Sequence, residues 1–158
     1  MIRISHRINT IEHLKNTPNN LGVEIDIRTY NGELILHHDP FTQGENFENW
    51  LKLYQHNFLI LNVKEEGLEI VVLELMKKYK INKFFFLDQS IPFLIKTANS
   101  GEKRCAVRVS EYENIQTALC LSGKIEWIWV DCFTAFPLTM NSASKLKRAG
   151  FKLCLVSP

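Results

Sequence analysis

Short apolar runs of strand length recur along this chain, and they restrict it to folds built around a β-sheet. Each run has the length and the composition of a buried strand. Strands of this kind must pair with one another to satisfy their backbone hydrogen bonds. The eight runs are residues 2–5, 23–27, 34–36, 58–63, 84–87, 106–109, 127–130 and 153–156.

Segments with apolar residues at helical spacing separate most of these runs. Ser110 and Glu113 have the spacing of a capping box and predict the start of the fifth helix. Gly150 is a suitable residue to follow the end of the sixth helix. The predicted helices are residues 11–15, 46–55, 68–79, 91–98, 111–121 and 139–149.

The link between the second and third runs departs from this strand–helix alternation. Elsewhere the alternation favours a parallel sheet with helices outside it. The segment TYNGE is too short for a parallel crossover, and Asn31-Gly32 is a strong turn signal. The second and third strands are therefore either antiparallel or irregularly connected.

The regular spacing of the later runs predicts an α/β fold, a compact (β/α)₈ TIM-type barrel. From the fourth run onward the unit repeats about every 21 to 25 residues, and residues 1–158 form a single predicted domain. Typical barrels have about 250 residues, so this barrel is very small. The chain stops at Pro158, directly after the eighth run. We therefore expect the last helix to be missing, as in a chain truncated at its C-terminus.

Composition and charge exclude several classes of protein. The net charge is only +2 and the basic residues form no dense block, so no nucleic-acid partner is expected. No apolar run approaches the roughly 20 residues of a membrane span, and the N-terminus MIRISHR is not a signal peptide. The four cysteines have no metal-binding spacing and suit a reducing compartment. We expect a cytoplasmic protein of undetermined oligomeric state.

Polar residues collect where the predicted strands end. Residues i and i+2 of a strand share a face, so Glu24 and Asp26 point the same way, as do Asn62 and Lys64. In a barrel these faces meet at the mouth, where active sites form. Other polar residues at strand ends are His6, His38, Asp88, Arg108 and Asp131.

These residue types together suit phosphoryl chemistry. Two carboxylates and an amide oxygen are ligands for Mg²⁺ or Ca²⁺, and two histidines can exchange protons as base and acid. Lysine and arginine side chains hold an anion. Two structural alternatives stay open at this point. Glu24 and Asp26 could form salt bridges inside the sheet, and the trio Asp88, Arg108 and Asp131 could be an ion-pair network rather than a pocket lining.

Three short motifs carry a resemblance to a known family. ISHR at the first strand, VEIDIR at the second and LILHHDP at the third match the order and spacing of motifs in the glycerophosphodiester phosphodiesterases. LNVK falls where that family has glutamate-x-lysine. The chain thus resembles a divergent member of the phosphatidylinositol phospholipase C-like phosphodiesterase superfamily.

The resemblance implies a barrel fold and a metal-dependent phosphodiester hydrolase that acts on a small-molecule substrate. His6 and His38 would be the catalytic acid/base pair. A divalent cation, Mg²⁺ or Ca²⁺, would lie on Glu24, Asp26 and Asn62. Arg7 and Lys64 would contact the substrate phosphate, and Asp88, Arg108 and Asp131 are possible pocket-lining residues.

Two departures from the family pattern keep other functions open. Ile8 stands where the family has glycine, and Asn62 replaces an acidic metal ligand, which lowers the expected metal affinity. A degenerate barrel that binds a phosphorylated ligand without turnover is one alternative. A metal-independent phospholipase C-like lyase is the other.

Overall fold

The computed structural model describes residues 1–156, and the chain divides into two compact units. The N-terminal unit is Met1–Phe86 and the C-terminal unit begins at Leu87. The N-terminal unit contains β1 (Ile4–Ser5), α1 (Ile11–Asn16), β2 (Gly22–Tyr30), β3 (Glu33–Leu36), β4 (Glu45–Asn46), α2 (Phe47–Leu51), β5 (Leu59–Val63), α3 (Glu69–Lys78) and β6 (Phe84–Leu87), which ends at the boundary. The C-terminal unit contains α4 (Ile91–Asn99), β7 (Ala106–Val109), α5 (Ile115–Cys120), β8 (Trp127–Val130), α6 (Met140–Arg148) and β9 (Lys152–Leu155).

The positions of the strands and helices follow the sequence pattern closely. Each of the eight apolar runs overlaps an observed strand, and each of the six helical segments overlaps a helix. The two-residue strand β4 is not predicted, because two residues carry too little periodicity to be recognised. Ser157 and Pro158, the end of the predicted domain, lie outside the described residues.

Strand β2 is the centre of the N-terminal sheet. The sheet has the order β4-β3-β2-β5-β6, and β1 also pairs with β2. One edge of β2 pairs in parallel with β5, while its other edge is shared by β1 at one end and by antiparallel β3 at the other. All five residues of β5 are buried, as are the first six of β2. Burial on both faces is typical of a central strand covered on each side.

The predicted (β/α)₈ barrel is wrong. Within residues 1–156 the strands form two separate sheets, the six-stranded mixed sheet and a parallel sheet of order β7-β8-β9. A barrel of this type requires eight parallel strands in one closed ring. The third predicted strand, β3, runs antiparallel to β2, and β4 runs antiparallel to β3. These strands extend the sheet sideways and cannot count toward such a ring, so the fold class is α/β without the predicted closure.

A tight turn between β2 and β3 makes this antiparallel pairing possible. Asn31 and Gly32 have φ angles of 50° and 81°, both in the left-handed region. A two-residue turn with two such residues is the type I′ turn that matches the twist of a hairpin. The antiparallel alternative for these strands is therefore confirmed. The returning strand brings His37 beside β2, where its N–H donates to the Asp26 carbonyl oxygen at 3.0 Å.

Helix ends show one correction and one confirmation. Helix α5 begins after Asn114, whose side chain accepts a hydrogen bond from the Gln116 N–H. Ser110 donates to Glu113 at 2.7 Å, but this bond lies before the helix, so the predicted capping box at Ser110 is wrong. Gly150 follows α6 with a φ of 95°, as the sequence predicts.

No helix within the described residues is long and apolar enough to cross a membrane.

The hairpin turn gives a first prediction. We expect Gly32→Ala to lower the free energy of unfolding by about 1–2 kcal/mol, the cost of a left-handed residue with a Cβ. No atom lies within 4 Å of the added Cβ, so the loss is conformational rather than steric. Urea unfolding measures it. Asn31→Gly, in the same turn, is the control and should change stability by less than about 0.5 kcal/mol. Equal stability of Gly32→Ala and the wild-type protein would contradict the assignment of this turn.

Candidate functional site

Two carboxylates lie buried in the middle of β2. Glu24 is 0% exposed and Asp26 is 1% exposed, and they share a face of the strand. Burying an ionised carboxylate is costly unless hydrogen-bond donors or cations surround it. The groups that meet this requirement come from β5 and from the segment after β1, and they define the candidate site.

Glu24 is held by uncharged donors. The Arg7 backbone N–H donates to Oε2 at 2.7 Å and the Asn62 Nδ2 donates to Oε1 at 2.9 Å. Burial, followed by the neighbouring charge of Asp26, raises the pKa of Glu24 above its usual value. His6 and the two hydrogen bonds act in the opposite direction without cancelling this shift. Glu24 is therefore a carboxyl group that binds a proton more readily than an exposed glutamate.

Asp26 is held by an asparagine and a lysine. Asn9 Nδ2 donates to Oδ2 at 2.8 Å, and Asn9 Oδ1 accepts from the Asp26 backbone N–H at 2.8 Å. The Lys64 ammonium lies 3.3 Å from Asp26 Oδ1. Asp26 and Asn62 are also register partners in β2 and β5, so Lys64 comes two residues beyond the Asp26 partner. Asp26 thus has a local positive charge, whereas Glu24 has neutral donors and the imidazole of His6.

The segment after β1 adopts an unusual backbone to reach these acids. Arg7 has a φ of 56°, in the left-handed region, which costs an ordinary residue about 1–2 kcal/mol. In this conformation the Arg7 N–H reaches the Glu24 carboxylate and the Ile8 N–H reaches the Glu24 carbonyl oxygen at 2.8 Å. Ile8, which replaces the family glycine, has a side chain in the core. The hydrogen bonds to buried Glu24 offset the backbone strain at Arg7.

Two histidines lie above the buried acids, each beside a carboxylate. His6 has a side chain 54% exposed, with Nε2 3.5 Å from Glu24 Oε2. His38 Nε2 is 2.9 Å from Arg7 Nη2, and its Nδ1 is 2.8 Å from Asp39 Oδ1. A guanidinium can only donate, so His38 Nε2 accepts and Nδ1 carries the hydrogen that is donated to Asp39. The hydrogen bond from His38 lowers the pKa of Asp39.

His37 differs from His38 in its contacts. Its Nδ1 accepts from the Asp39 backbone N–H at 3.0 Å, within the turn that follows β3. The contact with Arg7 belongs to His38.

The N-terminal unit brings together seven of the residues selected from the sequence. They are linked through the contacts above: His6, Arg7, Glu24, Asp26, His38, Asn62 and Lys64. Two residues were missed as site members. Asp39 has the sequence features of a turn residue, and Asn9 has only its position three residues after His6 as a signal. Both act through side-chain contacts that sequence spacing does not encode.

The remaining three predicted residues contact one another in the C-terminal unit. Arg108 pairs closely with Asp88, and its Nη1 lies 3.2 Å from Asp131 Oδ2. Asp88 and Arg108 line a cavity of about 400 Å³ within this unit, whereas Asp131 is not part of that lining. The contacts are those of the ion-pair network considered above, with a cavity beside two of its members.

The predicted metal-ligand set, Glu24, Asp26 and Asn62, stays a prediction. Residues 1–156 contain no cluster of three or more histidine, cysteine, aspartate or glutamate side chains that could hold a metal ion. Asn62 supplies an amide in place of a third acid, and every carboxylate oxygen already has a nitrogen neighbour. These neighbours are Arg7 N and Asn62 Nδ2 on Glu24, and Asn9 Nδ2 and Lys64 Nζ on Asp26.

The described contacts occupy only part of the two carboxylates. Donors on Glu24 and on Asp26 Oδ2 would compete with a cation, and the Lys64 ammonium supplies positive charge beside Asp26. Asp26 Oδ1 and Asn62 Oδ1 are buried and accept no hydrogen bond. A requirement for Mg²⁺ or Ca²⁺ stays a prediction.

Comparison with known proteins adds no family assignment. No protein-family model matches the chain, and no curated protein matches it. The resemblance to the glycerophosphodiester phosphodiesterases therefore stays a prediction based on the three short motifs.

The raised pKa of Glu24 gives a second prediction. A carboxyl group with a raised pKa in the folded state stabilises the fold below its unfolded pKa, and this stabilisation is lost as the pH rises. We expect Glu24→Gln to raise the free energy of unfolding at about pH 7 by about 0.5–2 kcal/mol. The new amide removes the buried charge, and its N–H can donate to Asn62 Oδ1 after the Asn62 amide rotates.

Denaturant unfolding at two pH values tests this expectation. Near pH 4, where glutamate is largely neutral, the variant and the wild-type protein should differ little. Glu66→Gln, at an exposed position, is the control and should stay within about 0.5 kcal/mol at both pH values. A loss of stability in Glu24→Gln that grows as the pH rises would show that the fold requires the Glu24 anion.

Proposed function

We propose that the site in the N-terminal unit cleaves a phosphodiester bond in a small-molecule substrate by acid/base catalysis. The observation that carries this proposal is the pair of accessible imidazoles, His6 and His38, each beside a carboxylate and both next to Arg7. General acid/base catalysis needs two proton carriers on opposite sides of the reacting bond and a cation for the phosphate.

Arg7 and Lys64 are the proposed phosphate ligands. The Arg7 side chain is exposed, and its guanidinium can bind two phosphate oxygens at once. Lys64 is 16% exposed and lies against Asp26, so its ammonium presents a fixed positive charge. Together they compensate the negative charge that grows on the phosphate oxygens during cleavage.

His38 is the proposed general base. Its Nδ1–H is donated to Asp39, so Nε2 has the free electron pair that accepts a proton. In the free protein Arg7 donates to this nitrogen, and a phosphate that draws Arg7 onto its own oxygens would expose Nε2 to the attacking hydroxyl. His38 then removes the proton of a water molecule as its oxygen forms the new bond to phosphorus.

His6 is the proposed general acid. In its protonated form it pairs with Glu24 and holds the proton that the departing oxygen needs. The bond between phosphorus and the leaving alkoxide breaks, and the His6 proton passes to that oxygen. The products are an alcohol and a phosphomonoester. If a neighbouring hydroxyl of the substrate attacks instead of water, the same proton transfers give a cyclic phosphate.

The motif resemblance supports this assignment of roles. His6 and His38 match the two histidine motifs of the glycerophosphodiester phosphodiesterases, and Arg7 and Lys64 match the basic residues. A glycerophosphodiester is therefore the first substrate class to examine. A cytoplasmic location is part of the proposal and is supported by the free state of Cys105, Cys120, Cys132 and Cys154.

Hydrolysis of bis(p-nitrophenyl) phosphate and of glycerophosphodiesters tests the proposal. We expect His6→Ala and His38→Ala each to lower kcat/KM by about 10²–10⁴-fold, the usual contribution of a general acid or base. His37→Ala is the matched control, because His37 is adjacent to His38 and the hydrogen bonds of its imidazole are with the backbone of the turn residue Asp39. It should stay within about threefold of the wild-type protein, well below the effect of a catalytic histidine.

The assay is run with EDTA and separately with Mg²⁺ or Ca²⁺, so that dependence on a cation is measured rather than assumed. Turnover in either condition that both histidine variants lose supports the proposal. A folded wild-type protein without turnover in any condition contradicts it. Binding of dimethyl phosphate by such an inactive protein would identify a phosphate-binding protein instead.

A further inference from the structure

The side chain of Asn9 contacts both the backbone and the carboxylate of Asp26. Its Oδ1 accepts from the Asp26 N–H and its Nδ2 donates to Asp26 Oδ2, each at 2.8 Å. Two bonds from one planar amide to one residue fix both the strand position and the rotation of the carboxylate. The second carboxylate oxygen, Oδ1, is thereby directed to the Lys64 ammonium at 3.3 Å.

Because Asp26 is buried, the hydrogen bonds from Asn9 have a strong effect on its position. Asp26 is 1% exposed, so water cannot replace a lost donor, and a buried carboxylate without its donor is destabilised in its present position. The side chain of Lys64 is 16% exposed, and its ammonium forms an ion pair with Asp26 Oδ1. Asn9 therefore influences the position of the Lys64 charge through the Asp26 carboxylate that both side chains contact.

We propose that Asn9 is a positioning residue that fixes the rotation of the Asp26 carboxylate, and thereby holds the Lys64 ammonium at the phosphate position. The inference rests on the proposed function, because it assigns Lys64 to the substrate phosphate. Asn9 itself contacts neither phosphate nor the reacting atoms. It acts on substrate affinity through Asp26 and Lys64, whereas proton transfer belongs to His6 and His38.

The first experiment measures binding of dimethyl phosphate, which keeps one negative charge throughout the working pH range. We expect Asn9→Ala to raise Kd roughly tenfold, the usual effect of losing one hydrogen bond to a charged group. In hydrolysis of bis(p-nitrophenyl) phosphate the KM should rise by a similar factor, and kcat should change by less than about threefold. Asn57→Ala is the control, because the Asn57 side chain also forms a hydrogen bond in this unit, to the Asn20 carbonyl oxygen, but lies outside the site.

A second variant tests the donor rather than the shape. Asn9→Asp keeps the oxygen that accepts from the Asp26 N–H but places a carboxylate oxygen opposite Asp26 Oδ2. When both acids are ionised they repel each other, and a proton shared between them restores a donor. We expect the Kd of Asn9→Asp, divided by that of the wild-type protein, to fall toward one as the pH falls from about 8 to about 5. Asn9→Ala should show no such recovery.

A third readout does not depend on turnover. Solvent exchange of the Lys64 ammonium hydrogens, followed by NMR of ¹⁵N-labelled lysine, should be roughly tenfold faster in Asn9→Ala than in the wild-type protein. Unchanged exchange with unchanged Kd would overturn the role of Asn9 while leaving an active phosphodiesterase in place. Faster exchange in a protein that neither binds nor cleaves a phosphodiester would support the link to Lys64 and overturn the proposed function.

Discussion

Burial of two like-charged side chains in one central strand is the constraint on which the N-terminal unit depends. Glu24 and Asp26 lie on the same face of β2, where water does not reach them. Each must obtain donors from neighbouring elements. This requirement accounts for the polar residues Asn62 and Lys64 at the end of a strand that is otherwise apolar. It also accounts for the left-handed backbone at Arg7, which would otherwise only cost stability.

The same donors connect the core to the surface. Arg7 donates from its backbone to Glu24 and from its side chain to His38, so a core acid and a surface imidazole are held by one residue. Asp39 contacts His38 and His6 contacts Glu24, so one series of contacts runs from Asp39 through His38, Arg7 and Glu24 to His6. The accessible side chains of His6, Arg7 and His38 are the ones proposed to act on the substrate, and buried Glu24 fixes their positions. Loss of a buried donor would thus alter the surface site without a change in its own residues.

Ile8 and Asn62 are the two departures from the motifs of the glycerophosphodiester phosphodiesterases, and each has a structural role. Ile8 fills the core next to Arg7, and the left-handed conformation falls on Arg7 itself. Asn62 donates to Glu24 instead of adding a third negative charge. With two acids and the nearby Lys64 ammonium, the cluster has less excess negative charge than a three-acid site. Electrostatic demand for a metal is lower for that reason, and the cluster is closer to internal neutrality.

The sequence by itself determined the strand and helix positions, the shared face of Glu24 and Asp26, and the hairpin at Asn31-Gly32. These features follow from periodicity and turn chemistry over a few neighbouring residues. Only the tertiary structure decided that the strands form two sheets instead of a closed barrel, because closure depends on pairing between strands distant in sequence. It also decided the partners of the site residues. The contacts of Asn9 and Asp39 depend on their side-chain rotamers, which sequence spacing does not give. The ion pair of Arg108 with Asp131 joins residues from different strands, so local spacing does not reveal it either.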